Sequence, residues 1–309
     1  MTRAADALHY SQPAISHHLG RLETELGIPL LQRAGRGVRL TEAGRVLAER
    51  ADEILGRVRS AEAEVAAYAG LRAGRVRLAT FPSALATVVP RVAARLLASH
   101  PELELALTEC EPPEAITALR NGDVDVALVF EHDEPRPSVT DMTATTLFEE
   151  PIYLVTPGGR DRDGALPSPP RRPSSRRGEG RASGPLARYA DERWIAGCQR
   201  CRAHLLAMCE RDGFVPDIAF ETDDYVATQA LVAAGMGVTT LPGLALLANL
   251  NAQVTIERIP HDRRRIIALT YGRPPAPLPV QTFLNLLHTT VTPPPWPANQ
   301  PTRATSMPS

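Results

Sequence analysis

The chain has 309 residues, enough for two or three domains, and 43% of them are hydrophobic, which suits a soluble globular protein. Its 34 basic residues, all Arg, nearly offset 35 acidic ones to a net charge of −1; this excludes a globally basic nucleic-acid binder and leaves any such role to local motifs. No apolar run reaches about 18 residues and no apolar stretch follows Met1, so neither a membrane span nor a secretory leader is expected.

The first elements are short. "TRAADAL" predicts a helix over Thr2–Leu8, with Ala4, Ala5 and Leu8 on one face. His9 and Tyr10 make a turn. Ser11 is a good N-cap, and Pro13 falls in the first turn of a second helix, where its missing N–H costs little. Ile15, Leu19, Leu22 and Leu26 step by four, three and four, which lines them along one face. Gln12, Ser16, His17 and Arg21 are left on the polar side near the helix start, and Gly27 stops the helix. Two short helices in this order predict a helix-turn-helix, whose second helix would present its polar tip to the DNA major groove. Next, Leu30 and Leu31 and then Val38 and Leu40 predict two short strands. The Gly-rich turn between them carries Arg33, Arg36 and Arg39, a basic wing. Residues 1–77 hold 12 Arg against 9 acidic residues, a net of +3, so the segment is judged by motif rather than by charge.

No Pro interrupts the chain between Thr41 and Pro82. Leu47, Ala51, Ile54, Val58, Ala61, Val65 and Tyr68 alternate steps of four and three, a heptad-like seam. Two readings of this long helix stay open here: a seam that pairs two subunits, or an amphipathic helix lying on its own domain. Gly70 and Gly74 mark a hinge into the remainder.

Beyond Gly74 strands and helices alternate. "RVRLAT" predicts a strand, Ser83–Ser99 a helix, "LELALTE" a strand, "PPEAITALRNG" a helix and "DVDVALVF" a strand. The pattern recurs as "RWIAG", "CRAHLLAMCERDG", "PDIAFET", "DDYVATQALVAAG" and "MGVTTLP". Late strands near Val254–Ile259 and Arg264–Tyr271 suggest a return to the first run. The fold class expected is α/β, in two subdomains. Ligands in open α/β sheets bind beyond the carboxyl ends of strands; the pocket candidates are Phe81, Ser83, Phe130, Cys198 and Thr222. Helix N-termini there would favour an anionic group. Asp223 and Asp224 would favour a cationic group, unless they serve as helix caps.

Four cysteines give no disulfide framework, so a reducing cytoplasm is the expected compartment. Cys198 and Cys201 form a lone C-x-x-C. Because the four-ligand spacing of zinc sites is absent, no metal site and no cofactor are expected. Cys201 and Cys209 read as small buried residues, whereas Cys198, beside Arg200 and Arg202 at a helix start, is expected to have a lowered pKa. Pro157–Pro185, with seven Arg and many Pro and Gly, reads as a disordered loop, and the end from residue 291 as a loose tail. No G-x-S-x-G, P-loop, H-E-x-x-H or Rossmann glycine set is present, so no enzyme is expected.

"RAADALHYSQPAISHHLGRLETELGIPLLQRAGRGVRLTEAGRVL" closely resembles the DNA-binding segment of LysR-type transcriptional regulators, with most of the pattern A-A-x-x-L-x-x-S-Q-P-A-[VI]-S and L-T-x-A-G present. "ALVAAGMGVTTLP" is similar to the family's V-A-x-G-x-G motif. The resemblance implies a winged helix-turn-helix, a long linker helix and two α/β subdomains of the type-2 periplasmic-binding-protein fold. It implies base-reading roles for Gln12, Pro13, Ser16 and His17, with Arg21 on the same face. A wing contact is implied for Arg36, with Arg33 beside it on a phosphate. Family members often carry Arg where His17 stands. The resemblance also implies subunit pairing through Leu47, Ala51, Ile54, Val58, Ala61 and Val65. The partners implied are double-stranded DNA, a small-molecule effector and a second copy of the chain, as homodimer or homotetramer. The resemblance also admits RNA polymerase as a further partner, and no membrane partner is expected. The expected organisation is an incomplete winged helix-turn-helix over 1–40, a linker helix and hinge over 41–73, an effector domain over 74–290 and a tail over 291–309. Within the effector domain, subdomain I takes about 74–152 and 260–290, and subdomain II about 153–259. The family begins about a helix earlier, so the start at Met1 is expected to be internal to a longer reading frame. Alternatives are a stand-alone small-molecule binder with a vestigial DNA segment, and a thiol-based redox regulator using Cys198.

Overall fold

Local chemistry sets the N-terminal elements. Helix α1 spans Thr2–Leu8 and α2 spans Gln12–Leu26. The Ser11 hydroxyl accepts from the Ala14 amide at 3.3 Å, Pro13 occupies the first turn, and Gly27 ends α2 at φ +67°, a left-handed position that suits glycine. Strands β1 (Leu31–Ala34) and β2 (Gly37–Leu40) form the antiparallel wing. Glu23 ties α2 to the wing by accepting from the amides of Leu30 at 2.7 Å and Leu31 at 2.9 Å. Of the apolar positions expected to pack in this segment, Ala5, Ile15 and Leu30 are buried, while Ala4, Leu8 and Leu26 are exposed.

The computed structural model describes residues 2–35, 37–68, 74–132, 141–158, 183–272, 274–291 and 295–299. Arg36, the hinge position Gly70 and residues 159–182 of the expected loop lie outside these.

Helix α3 runs Glu42–Tyr68. Its Gly56 packs on the turn after α6 (Pro112–Arg120): a Cβ there would sit 2.5 Å from the carbonyl carbon of Asn121. Arg57 donates to the Tyr271 hydroxyl at 2.9 Å and covers its ring. Ile54, Val58 and Val65 lie on the opposite side of α3 and are 60%, 49% and 69% exposed. One helix thus rests on its own chain along one stripe and presents an apolar stripe outward along the other.

The remainder is built on β3 (Arg75–Thr80), β4 (Glu104–Glu109), β5 (Val126–Glu131), β6 (Met142–Pro157), β7 (Arg193–Ala196), β8 (Asp217–Glu221), β9 (Thr239–Pro242) and β10 (Val254–Tyr271). Six of these form one sheet in the order β4-β3-β5-β10-β6-β9, with β3 parallel to β4 and β5. Strands β7 and β8 pair in parallel, and Trp194 joins them to Val238 just before β9. The helices are α4 (Pro82–Leu85), α5 (Val88–Ser99), α6, α7 (Gln199–Arg211), α8 (Tyr225–Ala233), α9 (Gly243–Ala248) and α10 (Leu278–Thr290). Two core clusters flank the first half of the sheet, one around Leu78, Val92, Phe130, Ile266 and Phe283 and one around Ala79, Leu119, Val129 and Leu269. Two more serve the second half, around Trp194, Met208 and Phe214 and around Tyr153, Val232 and Leu246. Two lobes result, and β6 and β10 run through both.

Several elements differ from the sequence expectation. Ser83–Ser99 is two helices, α4 and α5, broken at Ala86 and Thr87. Pro90 has no N–H to give to the Ala86 carbonyl and its ring crowds that carbonyl, so one continuous helix is excluded. Val254–Ile259 and Arg264–Tyr271 belong to a single bulged strand, β10, in which Ile259 to Asp262 interrupt the pairing with β6. Leu107 of β4 is 47% exposed at the sheet edge. The expected tail is held at residues 295–299: Trp296 lies against Gly243, the Tyr153 hydroxyl donates to the Pro297 carbonyl at 2.9 Å, and the Asn299 side chain accepts from the Arg258 amide at 2.9 Å. At the edges of the expected loop, Pro157 ends β6 and Ser183 donates its amide to the Asp212 carbonyl at 3.0 Å. Among the described residues no helix is long and apolar enough to cross a membrane.

Candidate functional site

The carboxyl ends of the parallel strands point at one another. Phe81 and Ser83 follow β3, Glu111 follows β4, Phe130 ends β5, Cys198 follows β7 and Thr222 follows β8. Such a convergence of strand ends is where open α/β sheets bind ligands. Phe81 and Phe130 meet edge to face at 5.1 Å. Arg264 of β10 lies fully buried beneath them, its guanidinium 4.2 Å from the Phe130 ring centre and 5.1 Å from that of Phe81. It donates to Glu150 at 2.6 Å and to the Ser83 hydroxyl at 2.8 Å. Glu150 in turn accepts from the Leu244 amide at 2.6 Å. Glu150 is fully buried; desolvation raises its pKa while Arg264 and the Leu244 amide work against that rise.

The cleft keeps unused hydrogen-bonding capacity. Arg264 Nη1, Arg200 Nε, Thr80 Oγ1 and Glu111 Oε2 are buried with no hydrogen-bond partner among the described residues. Burial, then the neighbouring Cys198, pushes the Glu111 carboxyl up to about 8. Burial pushes up the phenol of Tyr225, at the start of α8, while the charge of Arg264 and a hydrogen bond with Ser83 work against that rise. Thr222 faces a more open groove of about 550 Å³ with Cys198, Gln199, Arg202, Glu221 and Asp223. Of the five sequence-expected pocket residues, Phe81 and Phe130 belong to one core cluster, Cys198 packs onto it, and Thr222 stands on the adjoining groove. Ser83 itself bonds Arg264. Asp224 caps α8 by accepting from the amides of Val226 and Ala227 at 2.8 and 3.0 Å, and Asp223 stands on the groove.

The thiols correct the expectation for Cys198. Its Sγ donates to Cys201 Sγ at 3.1 Å, which retains the proton, and burial raises the thiol further. Arg202 is engaged elsewhere, with Glu221 at 2.7 Å. Cys201, receiving the bond, is the thiol whose pKa falls. Cys209 is buried as expected, pushed up to about 12 by that burial.

At the other end of the molecule, Gln12, Pro13, Ser16, His17, Arg21 and Arg33 are all exposed. The first five share the outer surface of α2. Arg21 pairs with Glu25 at 2.9 Å, one turn along. Arg33 lies on β1 of the wing.

Residues 69–292 match the family model described as LysR substrate binding domain, and residues 1–45 match the bacterial regulatory helix-turn-helix protein, lysR family. The chain belongs to the LysR family. It is a DNA-binding transcriptional regulator with an effector-binding domain. Among curated relatives of this LysR-type regulator is the DNA-binding transcriptional dual regulator OxyR of Escherichia coli, 28% identical over 282 residues, which cover 89% of this chain and 85% of that one. Another is a probable cat1 operon transcriptional activator of Acinetobacter lwoffii, 28% identical over 249 residues, 79% and 76% of the two chains. Among solved structures, CbnR, a LysR family transcriptional regulator, superposes with a TM-score of 0.60 at 22% identity over 94% of each chain. Full-length CbnR complexed with its target DNA gives 0.58 at 23% identity, over 94% and 93%. These superpositions establish a shared fold. In this LysR-type protein, Arg264, Glu150, Glu111 and Tyr225 were not read from the sequence as site residues, and Arg200 was read only as a neighbour of Cys198. "RRRIIA" did carry one signal: at a period of two Arg264 falls on the same face as the core residues Ile266 and Ala268, and an Arg reaches the core only if a counter-charge waits there.

Proposed function

We propose that this regulator recognises a specific operator as a twofold assembly and adjusts its grip when a small anionic effector enters the cleft beside Arg264. The observation that carries the effector class is the pair of unpartnered guanidinium N–H groups, Arg264 Nη1 and Arg200 Nε, buried where the strand ends converge. A carboxylate is the group that a fixed guanidinium fork binds best. Phe81, Ser83, Phe130, Cys198 and Thr222 are the side chains assigned to it, with Thr80 and Glu111 as further polar partners.

Gln12, Pro13, Ser16 and His17 are assigned to base edges, Arg21, Arg33 and Arg36 to the backbone and groove, and Leu47, Ala51, Ile54, Val58, Ala61 and Val65 to the subunit seam. The exposed apolar stripe of α3 supports that seam, and two half-sites on DNA need two recognition helices at fixed spacing. The domain limits proposed are those of the sequence: 1–40, 41–73, 74–290 and 291–309. The protein acts in the cytoplasm without catalysing a reaction, and RNA polymerase is its further partner at the promoter. A gel shift on the DNA upstream of its own coding sequence, with and without a library of small carboxylates, tests this. A shifted band that responds to one carboxylate is expected. Equal binding to random duplex overturns the operator reading, and a response only to cations overturns the effector class.

A second reading rests on the 3.1 Å approach of the Cys198 and Cys201 sulfurs. Cys201 thiolate attacks a peroxide, and the resulting sulfenic acid condenses with Cys198 to a disulfide and water. Relatives described as hydrogen peroxide-inducible genes activators make the comparison apt. Peroxide is expected to remove two hydrogens from the chain mass and to change DNA binding, and Cys201→Ser to abolish both.

A further inference from the structure

Behind the cleft lies a second polar group that neither the effector nor the thiols use. His132 follows β5, His204 sits in α7, and Asp262 closes the bulge in β10. One donor atom from each lies within 4.8 Å of the other two. His204 Nε2 is 2.9 Å from Asp262 Oδ1. His132 is 5% exposed, and neither of its ring nitrogens has a partner among the described residues. Asp262 Oδ2 is also without a hydrogen bond, with Arg211 3.7 Å from it. Buried polar atoms are nearly always satisfied, so three orphaned donors or acceptors in one cluster call for an occupant.

We propose that His132, His204 and Asp262 hold a divalent transition-metal ion of the zinc class. Two imidazoles and a carboxylate are the donor set that borderline ions such as Zn²⁺ take, with water in the fourth position. A cavity of about 260 Å³ bounded by His204, Arg211, His261 and Asp262 supplies that water and a path for entry. Bond lengths of about 2.0–2.2 Å place tetrahedral donors roughly 3.3 Å apart, so binding opens the 2.9 Å His204–Asp262 pair slightly and draws the His132 donor in from within 4.8 Å of the others. The two rings are stacked at 3.7 Å and 12°, and a single ion cannot lie in both ring planes. Binding therefore turns one ring about χ2, which is a broad and soft torsion. Of the nearby cations, Arg264 is matched by Glu150 and Arg211 is 68% exposed and free to swing into solvent; Arg200 faces the Phe130 ring. His132 belongs to the first lobe and His204 to the second, so a bound ion fixes the angle between lobes.

The test uses the full chain, stripped with chelator and titrated calorimetrically with zinc chloride at neutral pH. One Zn²⁺ per chain is expected, weakened by about tenfold or more in His204→Gln and in Asp262→Asn. The Cys198→Ser/Cys201→Ser double variant keeps the affinity. The cobalt-loaded wild type shows visible d–d bands without the sulfur-to-cobalt band of a thiolate site, a readout that stands even if a variant fails to fold. No zinc binding by the wild type, wild-type binding in both single variants, or loss of binding in the double cysteine variant overturns the proposal. None of these readouts involves DNA or effector, so the outcome is separate from that of the operator experiment.

Discussion

Arg264 and Glu150 face one another across the β6–β10 ladder, both fully buried. Removing one charge of such a pair leaves the other without compensation, which costs about 3–5 kcal/mol. Glu150→Gln is expected to lower the unfolding free energy by that order in a denaturant titration, and Glu150→Leu with Arg264→Met to recover most of it. Glu111 gives a pH signature. Its folded-state pKa is raised to about 8 from an ordinary 4.5, so its contribution is present below the unfolded value and lost as pH rises through the folded one. Denaturant midpoints of the wild type are expected to fall between pH 5 and pH 8, and Glu111→Gln to flatten that slope. The placement of Phe81, Ser83, Phe130 and Cys198 was legible because each stands at or just past the end of a strand that its own apolar pattern announces. The charged partners were not, because Arg264 and Glu150 are distant in sequence and meet only through strand pairing.

At the scale of elements, α3 carries two unlike stripes. Gly56 meets the turn after α6, and any larger side chain there collides with backbone. Gly56→Val is expected to cost about 1–3 kcal/mol, read as a lower melting temperature. Ile54→Glu with Val58→Glu should leave the melting of the single chain nearly unchanged while shifting sedimentation towards monomer. The long helix was evident from its unbroken seam. Strand β6 escaped notice for a physical reason: "MTATTLFEEP" is partly polar and "IYLV" is fully apolar, because the strand crosses from a half-exposed position to one buried on both faces. The break before α5 was written in Pro90, whose effect on the preceding turn outweighs the apolar period. Trp296 and Pro297 lie in a Pro-rich stretch that offers no period at all, yet they dock because a ring fits over Gly243.

For the whole molecule, the proposed readout of DNA by paired α2 helices separates two kinds of contact. Gln12→Ala is expected to cost roughly 1–3 kcal/mol of discrimination at one base position. Arg33→Ala should weaken all duplexes alike and reduce the salt slope by about 1, both measured by gel shift across salt concentrations. The modular layout was legible from motif order. The His132, His204 and Asp262 cluster was not, since three residues on three elements become neighbours only after both lobes have formed.

The β6–β10 ladder slips at two points: Leu147 is skipped between the Ile266 and Ile267 rungs, and over a longer stretch Ile259 to Asp262 pass opposite Ile152 alone. His261 there adopts φ +61°, a left-handed turn within a strand. Both lobes share β6 and β10, so bending of one lobe against the other is expected to concentrate at this longer unpaired stretch; amide hydrogen exchange faster there than in the rungs on either side is the measurement that checks it.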